Sequence, residues 1–295
     1  MSSTSLPLRA LQPAPARGAR PLRGVSPGSA RSILLTLLGE FVMPQGRPVW
    51  TSTLLQVLTG VGVAEKSARQ AIARAAAAGW ITSHREGRRA CWALTPRGRQ
   101  LIDDGAQRVL SMSQDSFRWD GRWLVLFVTL PESHRHVRLK LYRALSWAGF
   151  GNPTAGLWVS PHCERIDEAR RIIEGMKLSQ LTFSFVGPSL DFGATDRDLV
   201  DRSWDLEEVA SRYQDLVDRF ARLRPQSGDS VLFTHVQLVN AWQRMPFIDP
   251  GLPAALLPPR WTGRHAAARL ESLRNEWRDA AHRRWNELVE VLPSR

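Results

Sequence analysis

Lys66, Ser67, Arg69, Gln70 and Arg74 fall within nine consecutive positions of a segment, 64–78, that is otherwise mostly alanine. If the segment is helical, at about 100° per residue, Lys66 set at 0° puts Arg69 at about 300°, Gln70 at about 40° and Ala73 at about 340°. Ala68, Ala71, Ile72, Ala75 and Gly79 fall on the opposite side, between about 140° and about 240°. One face is thin and apolar, and the other offers donors around a small residue. Arg can bond O6 and N7 of guanine together and Gln can bond N6 and N7 of adenine, so this face can read base edges in a major groove. Arg74 and Ser67 lie at its flank. Any amphipathic surface helix has a polar outer face, and the helix alone does not decide the matter.

Gly87-Arg88-Arg89 adds two guanidinium groups at a predicted hairpin tip, where they suit phosphate oxygens or a minor groove. Residues with catalytic potential are sparser. Asp120 precedes a predicted strand where a metal-dependent nuclease would place a carboxylate, but Asp120-Gly121 is also an ordinary turn pair. Cys163 has His162 beside it, and Cys91 falls in a predicted strand. Neither has the surroundings of a nucleophile, and no Gly-x-Ser-x-Gly, HExxH or Walker sequence occurs. A nuclease or a thioesterase remains the alternative to a binding protein. Two cysteines without metal-ligand spacing predict neither a zinc site nor a disulfide framework, and they fit a reducing cytoplasm.

The elements that must position these side chains can be read from spacing. Residues 1–28, rich in Pro, Ser, Gly, Ala and Arg, read as a disordered arm with no secretory core. From Ser29, the run Ile33 to Val42 has helical periodicity and is stopped by Pro44 and Gly46. Thr51 or Ser52 is expected to cap a second helix carrying Leu54, Leu55 and Leu58. A turn at Gly60-Val61-Gly62 leads into the alanine-rich helix, which ends at Gly79. Two short strands follow, near 80–85 and 90–94, and Thr95-Pro96 starts a fourth helix. This order predicts a winged helix-turn-helix over 29–116.

Beyond it, Trp123–Val128 reads as a buried strand, 134–148 as a basic helix, and 157–159 as a strand. A helix near 164–176 and a strand at 181–186 complete the run. The β-α-β…α-β order predicts a ferredoxin-like middle domain over 117–226. A polar stretch over 187–202 leads into a helix of about 205–223. The last block, 227–295, predicts a helical domain with helices near 230–244 and from Gly263 towards Val291. The fold class expected is therefore α+β, and no run approaches the ~18 apolar residues of a membrane span.

The charge of +12 is unevenly spread. Residues 1–30 hold four Arg and no acid, and residues 31–118 hold twelve basic against six acidic side chains, whereas 119–226 balance. The excess lies where a polyanion would bind, although a genome that uses Arg freely would also raise it.

On Ser67 to Arg74, Gly79-Trp80, Leu94-Thr95-Pro96-Arg97-Gly98, Trp119-Asp120-Gly121-Arg122-Trp123, Leu157 to Pro161, Trp204-Asp205-Leu206, Asp249 to Pro253 and Trp261-Thr262-Gly263, the chain resembles the phenylacetate-degradation repressor family, the PaaX-type regulators. The resemblance runs from Ser29 to about residue 275. It implies a winged domain, a ferredoxin-like domain similar to that of CRISPR spacer-acquisition nucleases, and a helical domain. It also implies a repressor of an aromatic-acid catabolic operon, released by an acyl-coenzyme A effector such as phenylacetyl-CoA. A homodimer that places two winged domains on double-stranded operator DNA is the assembly expected.

Lys66, Ser67, Arg69, Gln70, Arg74, Arg88 and Arg89 are then the DNA-binding candidates. No catalytic residue, resident metal or cofactor is expected, since the acyl-CoA is an effector. Its pocket needs Arg for phosphates and aromatic walls for the acyl end. Arg122, Arg138, Arg143, Trp204, His235, Arg244 and Trp261 are the candidates by type. Trp123 and Trp158 read first as core, and Arg138 and Arg143 could equally be solvated helix charges.

Overall fold

The computed structural model describes residues 28–87, 89–113, 118–190 and 192–290. The expected disordered arm (all but its last residue) and Arg88 lie outside the described residues. Ser29 caps α1 (Ala30–Leu37), its Oγ accepting the Ser32 N–H at 3.2 Å. The helix runs on through a π turn, Leu38–Val42, into α2 (Met43–Gln45), and Gly46 ends it at φ +63°. Then come β1 (Val49–Trp50), α3 (Thr51–Gly60), α4 (Glu65–Ala77), β2 (Ile81–Glu86), β3 (Arg89–Leu94) and α5 (Pro96–Ser113). The three strands form an antiparallel sheet in the order β1-β3-β2.

Thr51 does not cap α3 as expected. Trp50 occupies the cap position, and the Thr51 hydroxyl donates to Ala90 O at 2.9 Å while accepting Trp92 Nε1–H at 2.9 Å. Pairing of Val49 and Trp50 with β3 brings Thr51 against that strand, so its hydroxyl ties helix to sheet. Thr95 does cap α5: the Gly98 N–H reaches its Oγ1 at 3.0 Å, and the hydroxyl donates to Gly79 O at 2.6 Å.

The middle of the chain forms β4 (Arg122–Val128), α6 (Arg135–Trp147), β5 (Gly151–Thr154), β6 (Leu157–Ser160), α7 (Ile166–Gly175) and β7 (Thr182–Pro188). Its antiparallel sheet has the order β5-β6-β4-β7. The unbroken apolar run of β4 has a simple cause: both faces of the strand are covered from Trp123 to Leu126. Leu124, Leu126 and Val128 pack with Leu141, Leu145, Ala169 and Ile173 of the two helices. Trp123 and Val125 pack on the other side with Val159, Val200, Leu206, Leu252 and Leu256. On that second face, Phe127 pairs with Phe183 and Val125 with Phe185, and these three phenylalanines stay exposed.

The rest is helical: α8 (Asp196–Ser203), α9 (Leu206–Phe220), α10 (Asp229–Trp242) and α11 (Gly263–Glu290). The expectation of a polar connection over 187–202 missed α8. Its signal was Thr195-x-x-Asp198, a capping box in which the Asp198 N–H reaches Thr195 Oγ1 at 3.2 Å and the Thr195 N–H reaches Asp198 Oδ2 at 2.9 Å. β5, which contains Pro153 and lies at the sheet edge, was also not foreseen.

The C-terminal helices do not form a core of their own alone. Leu232 and Val236 of α10 and Ala281 and Trp285 of α11 are buried in one cluster with Leu34, Leu37, Phe41, Leu54, Ala68 and Ile72. No helix among the described residues is long and apolar enough to cross a membrane.

Candidate nucleic-acid interface

The alanine face of α4 seats the helix. Ala68, Ala71, Ile72 and Ala75 are buried against α1 and α3, and their small size lets the backbone lie close to that core. Lys66, Ser67, Arg69, Gln70, Ala73 and Arg74 are all exposed. The division expected from the angular arithmetic is thus present in the fold. Gly79 at φ +71° turns the chain out of the helix into β2.

Arg69 is not idle in the free protein. Its guanidinium meets Glu65 Oε1 at 2.7 Å across one helical turn, with both side chains 60% exposed. Such a pair is worth only about 0.3–0.5 kcal/mol, little enough to be exchanged for a stronger partner. Glu65 also sits in the first turn of α4, where the helix end favours a negative charge.

Arg89 opens β3 and is half-buried, while Arg88, the other arginine expected at the hairpin tip, lies outside the described residues. Arg89 and Ala90 line a shallow cleft of about 220 Å³ with Trp50, Thr51 and Ser52. The start of α3 therefore borders the hairpin, and it carries no side-chain cap. Uncapped first-turn N–H groups beside an arginine favour an anion. The sequence reading missed this feature because Thr51-Ser52 looked like a cap, and only strand pairing reveals where the Thr51 hydroxyl goes.

Asp120 is a turn residue here: its Oδ1 accepts the Arg122 N–H at 3.0 Å and its Oδ2 accepts Arg122 Nε–H at 2.7 Å. Hydrogen bonds from Arg122 hold its carboxyl below the usual range. Cys91 is buried, its thiol 3.5 Å from His84 O, and burial pushes the Cys163 thiol up, away from a reactive thiolate.

Three protein-family models match the chain in succession: PaaX-like protein over residues 29–98, the PaaX protein central Cas2-like domain over 116–200, and the PaaX-like protein C-terminal domain over 204–287. The chain belongs to the PaaX family. Transcriptional repressor PaaX of Escherichia coli (strain K12) is 28% identical to it over 253 residues, covering 83% of this chain and 78% of that protein. In fold, this PaaX-family chain is similar to the uncharacterized protein Rv0674 from Mycobacterium tuberculosis, with a TM-score of 0.58 and 22% identity over 88% of this chain and 99% of the other.

Of the seven effector candidates, this PaaX-family fold groups three, Trp204, Trp261 and Arg122. Trp204 and Trp261 join one cluster with Trp119 and Trp123, Trp204 stacking on Trp123 at 6.4 Å. Arg122 adjoins it through its carbonyl, which accepts Trp119 Nε1–H at 2.8 Å, while its exposed guanidinium pairs with Asp120. Arg138 and Arg143 are exposed on α6, across the sheet from those tryptophans. Arg244, half-buried, follows α10. His235 has no exposed surface, and its Nε2 donates to the buried carboxylate of Glu40 at 3.0 Å. Burial pushes the His235 imidazole down, against the opposing pull of Glu40. Burial alone would raise Glu40, but His235, His282 and Arg274 outweigh it and hold the carboxylate ionised.

Proposed function

We propose that the protein is a transcriptional repressor that binds operator DNA as a winged helix-turn-helix, with α4 in the major groove. The observation that carries the reading is the partition of α4, whose donors are all exposed while its alanine face is buried. Lys66, Arg69 and Gln70 read bases, with Ser67 beside them. Arg74, Arg88 and Arg89 hold phosphates, joined by the N-terminal turn of α3 at Ser52. The strand order of the middle sheet, with its β-α-β-β-α-β succession, supports a ferredoxin-like domain. The divisions 29–116, 117–226 and 227–295 remain our reading of the domains.

The relationship to the E. coli repressor supports regulation of phenylacetate catabolism by a non-enzyme. By the same kinship we assign an acyl-CoA effector such as phenylacetyl-CoA, seated near Arg122, Trp204 and Trp261, where aromatic walls adjoin an exposed guanidinium. The protein acts as a homodimer, for which Phe127, Phe183 and Phe185 offer an exposed apolar face. The effector releases DNA only by its greater affinity for the unbound conformation.

A mobility-shift titration on DNA upstream of the protein's own gene, repeated with phenylacetyl-CoA and with free phenylacetate, tests this. Salt-sensitive binding released by the thioester alone is expected. Binding that neither compound releases discards the effector, and absence of specific binding discards the repressor.

A further inference from the structure

We infer that Glu40, His235 and His282 form a binding site for one divalent transition-metal ion of zinc-like chemistry, clamping the first helix to the two C-terminal helices. The three residues come from the π turn after α1, from α10 and from α11, and their ligand atoms all lie within 4.8 Å of one another. Glu40 Oε1 stands 3.0 Å from His235 Nε2 and 3.6 Å from His282 Nε2. Zinc bonds of about 2.0–2.1 Å place tetrahedral ligand atoms about 3.3 Å apart, and the two observed distances bracket that value.

The surroundings point the same way. His282 Nε2 is buried and takes no hydrogen bond, although it is turned towards a carboxylate. Phe41 packs at 4.7 Å from the His282 ring and shields the group on one side. A buried carboxylate in such company is costly without strong partners, and π turns recur at functional sites. Arg274 binds the other oxygen, Oε2, at 2.8 Å, which leaves Oε1 as a single-point ligand. Its positive charge works against a cation, so this is a site of moderate affinity. On loading, the His235 proton moves from Nε2 to Nδ1, an atom with no partner at present. Two histidines and one carboxylate leave a fourth position for water.

The expectation of no metal site rested on cysteine spacing and on neighbours in sequence. Glu40 and His235 are 195 positions apart, and only the packing of α10 and α11 against α1 unites them. The inference stands whether or not α4 reads DNA.

The test uses the full chain, stripped with a chelator and titrated with cobalt(II) while the visible d–d absorption is followed. One equivalent of tetrahedral cobalt, displaced by zinc, is expected. His282→Gln, at the half-exposed rim of the cluster, should weaken binding by at least about 10–100-fold. Arg274→Gln should tighten it, which a purely structural ion pair would not do. His134→Gln and His136→Gln, at exposed or half-exposed histidines on another element, should leave it unchanged. Absence of a stoichiometric complex overturns the inference without any variant. A complex indifferent to His282→Gln, or one with a thiolate charge-transfer band from Cys91 or Cys163, overturns it as well.

Discussion

Trp285, near the end of α11, stacks on Phe41 of the first helical segment with ring centroids 4.8 Å apart and planes 20° from parallel. Both side chains are almost wholly buried, and they join the last described helix to the core beneath α4. Trp285→Ala should therefore destabilise the chain by about 3–5 kcal/mol. It should also weaken DNA binding, although Trp285 lies far along the chain from α4. Urea unfolding with a mobility-shift assay checks both. A DNA affinity untouched by a large loss of stability would show that the two ends are energetically separate.

Arg69→Ala should cost about 1–3 kcal/mol of operator binding and relax base preference, whereas Arg74→Ala should weaken all sequences alike and reduce the salt slope by about 1. The Glu65 contact supplies a finer distinction. Glu65→Gln frees Arg69 and removes a charge that repels phosphate, so it should tighten binding. Titrations at several salt concentrations read all three variants, and weaker binding by Glu65→Gln would place Arg69 away from the bases.

Gly98→Ala should destabilise the protein by about 1–3 kcal/mol. A Cβ at Gly98 would collide with the Trp80 carbonyl, a backbone group that cannot swing aside. The glycine allows α5 to start against the chain entering β2, in the place where Thr95 bonds Gly79 and Trp80. Thermal unfolding of the variant measures the effect, and an unchanged Tm would contradict this packing.

Asp249 gives a pH dependence with a definite sign. Burial pushes its carboxyl above the ordinary value of 3.8, against the hydrogen bonds from the Gly251 N–H and the Tyr213 hydroxyl, each 2.7 Å long. The folded state thus binds this proton more tightly than the unfolded chain does. Its contribution is fully present below the unfolded pKa and is lost as pH rises through the folded one. Asp249→Asn keeps an oxygen for Gly251 and removes the charge. It should unfold with equal or greater stability at pH 7 and lack this component of the pH profile. A variant less stable at pH 7 would mean that the charge itself is needed.

Much of the candidate interface was legible in the sequence because it is local. Helical geometry alone places Lys66, Arg69 and Gln70 opposite Ala68, Ala71 and Ile72, and that angular relation survives whatever the helix packs against. Gly79, Thr95-Pro96 and the apolar run of β4 work in the same way, since turn conformation, capping and burial on two faces act over a few residues. α8 was legible in principle through Thr195-x-x-Asp198, but its polar composition concealed it.

Contacts between distant segments were beyond that reach. The Thr51 hydroxyl could cap a helix or bond a strand, and the pairing of β1 with β3 made the choice. The scatter of the effector candidates has a similar cause: residue type nominates Arg138 or His235, whereas the layer each helix joins determines what lies beside it. Local pattern was enough for the polar and apolar faces of α4, for strands β2, β3, β4, β6 and β7, and for the concentration of charge in the first part of the chain. Tertiary structure alone decided that α10 and α11 return to the first core and bring His235 and His282 to Glu40. Periodicity tells each element which side must leave water, but many partners can cover an apolar face, and only the packing of the whole chain selects one.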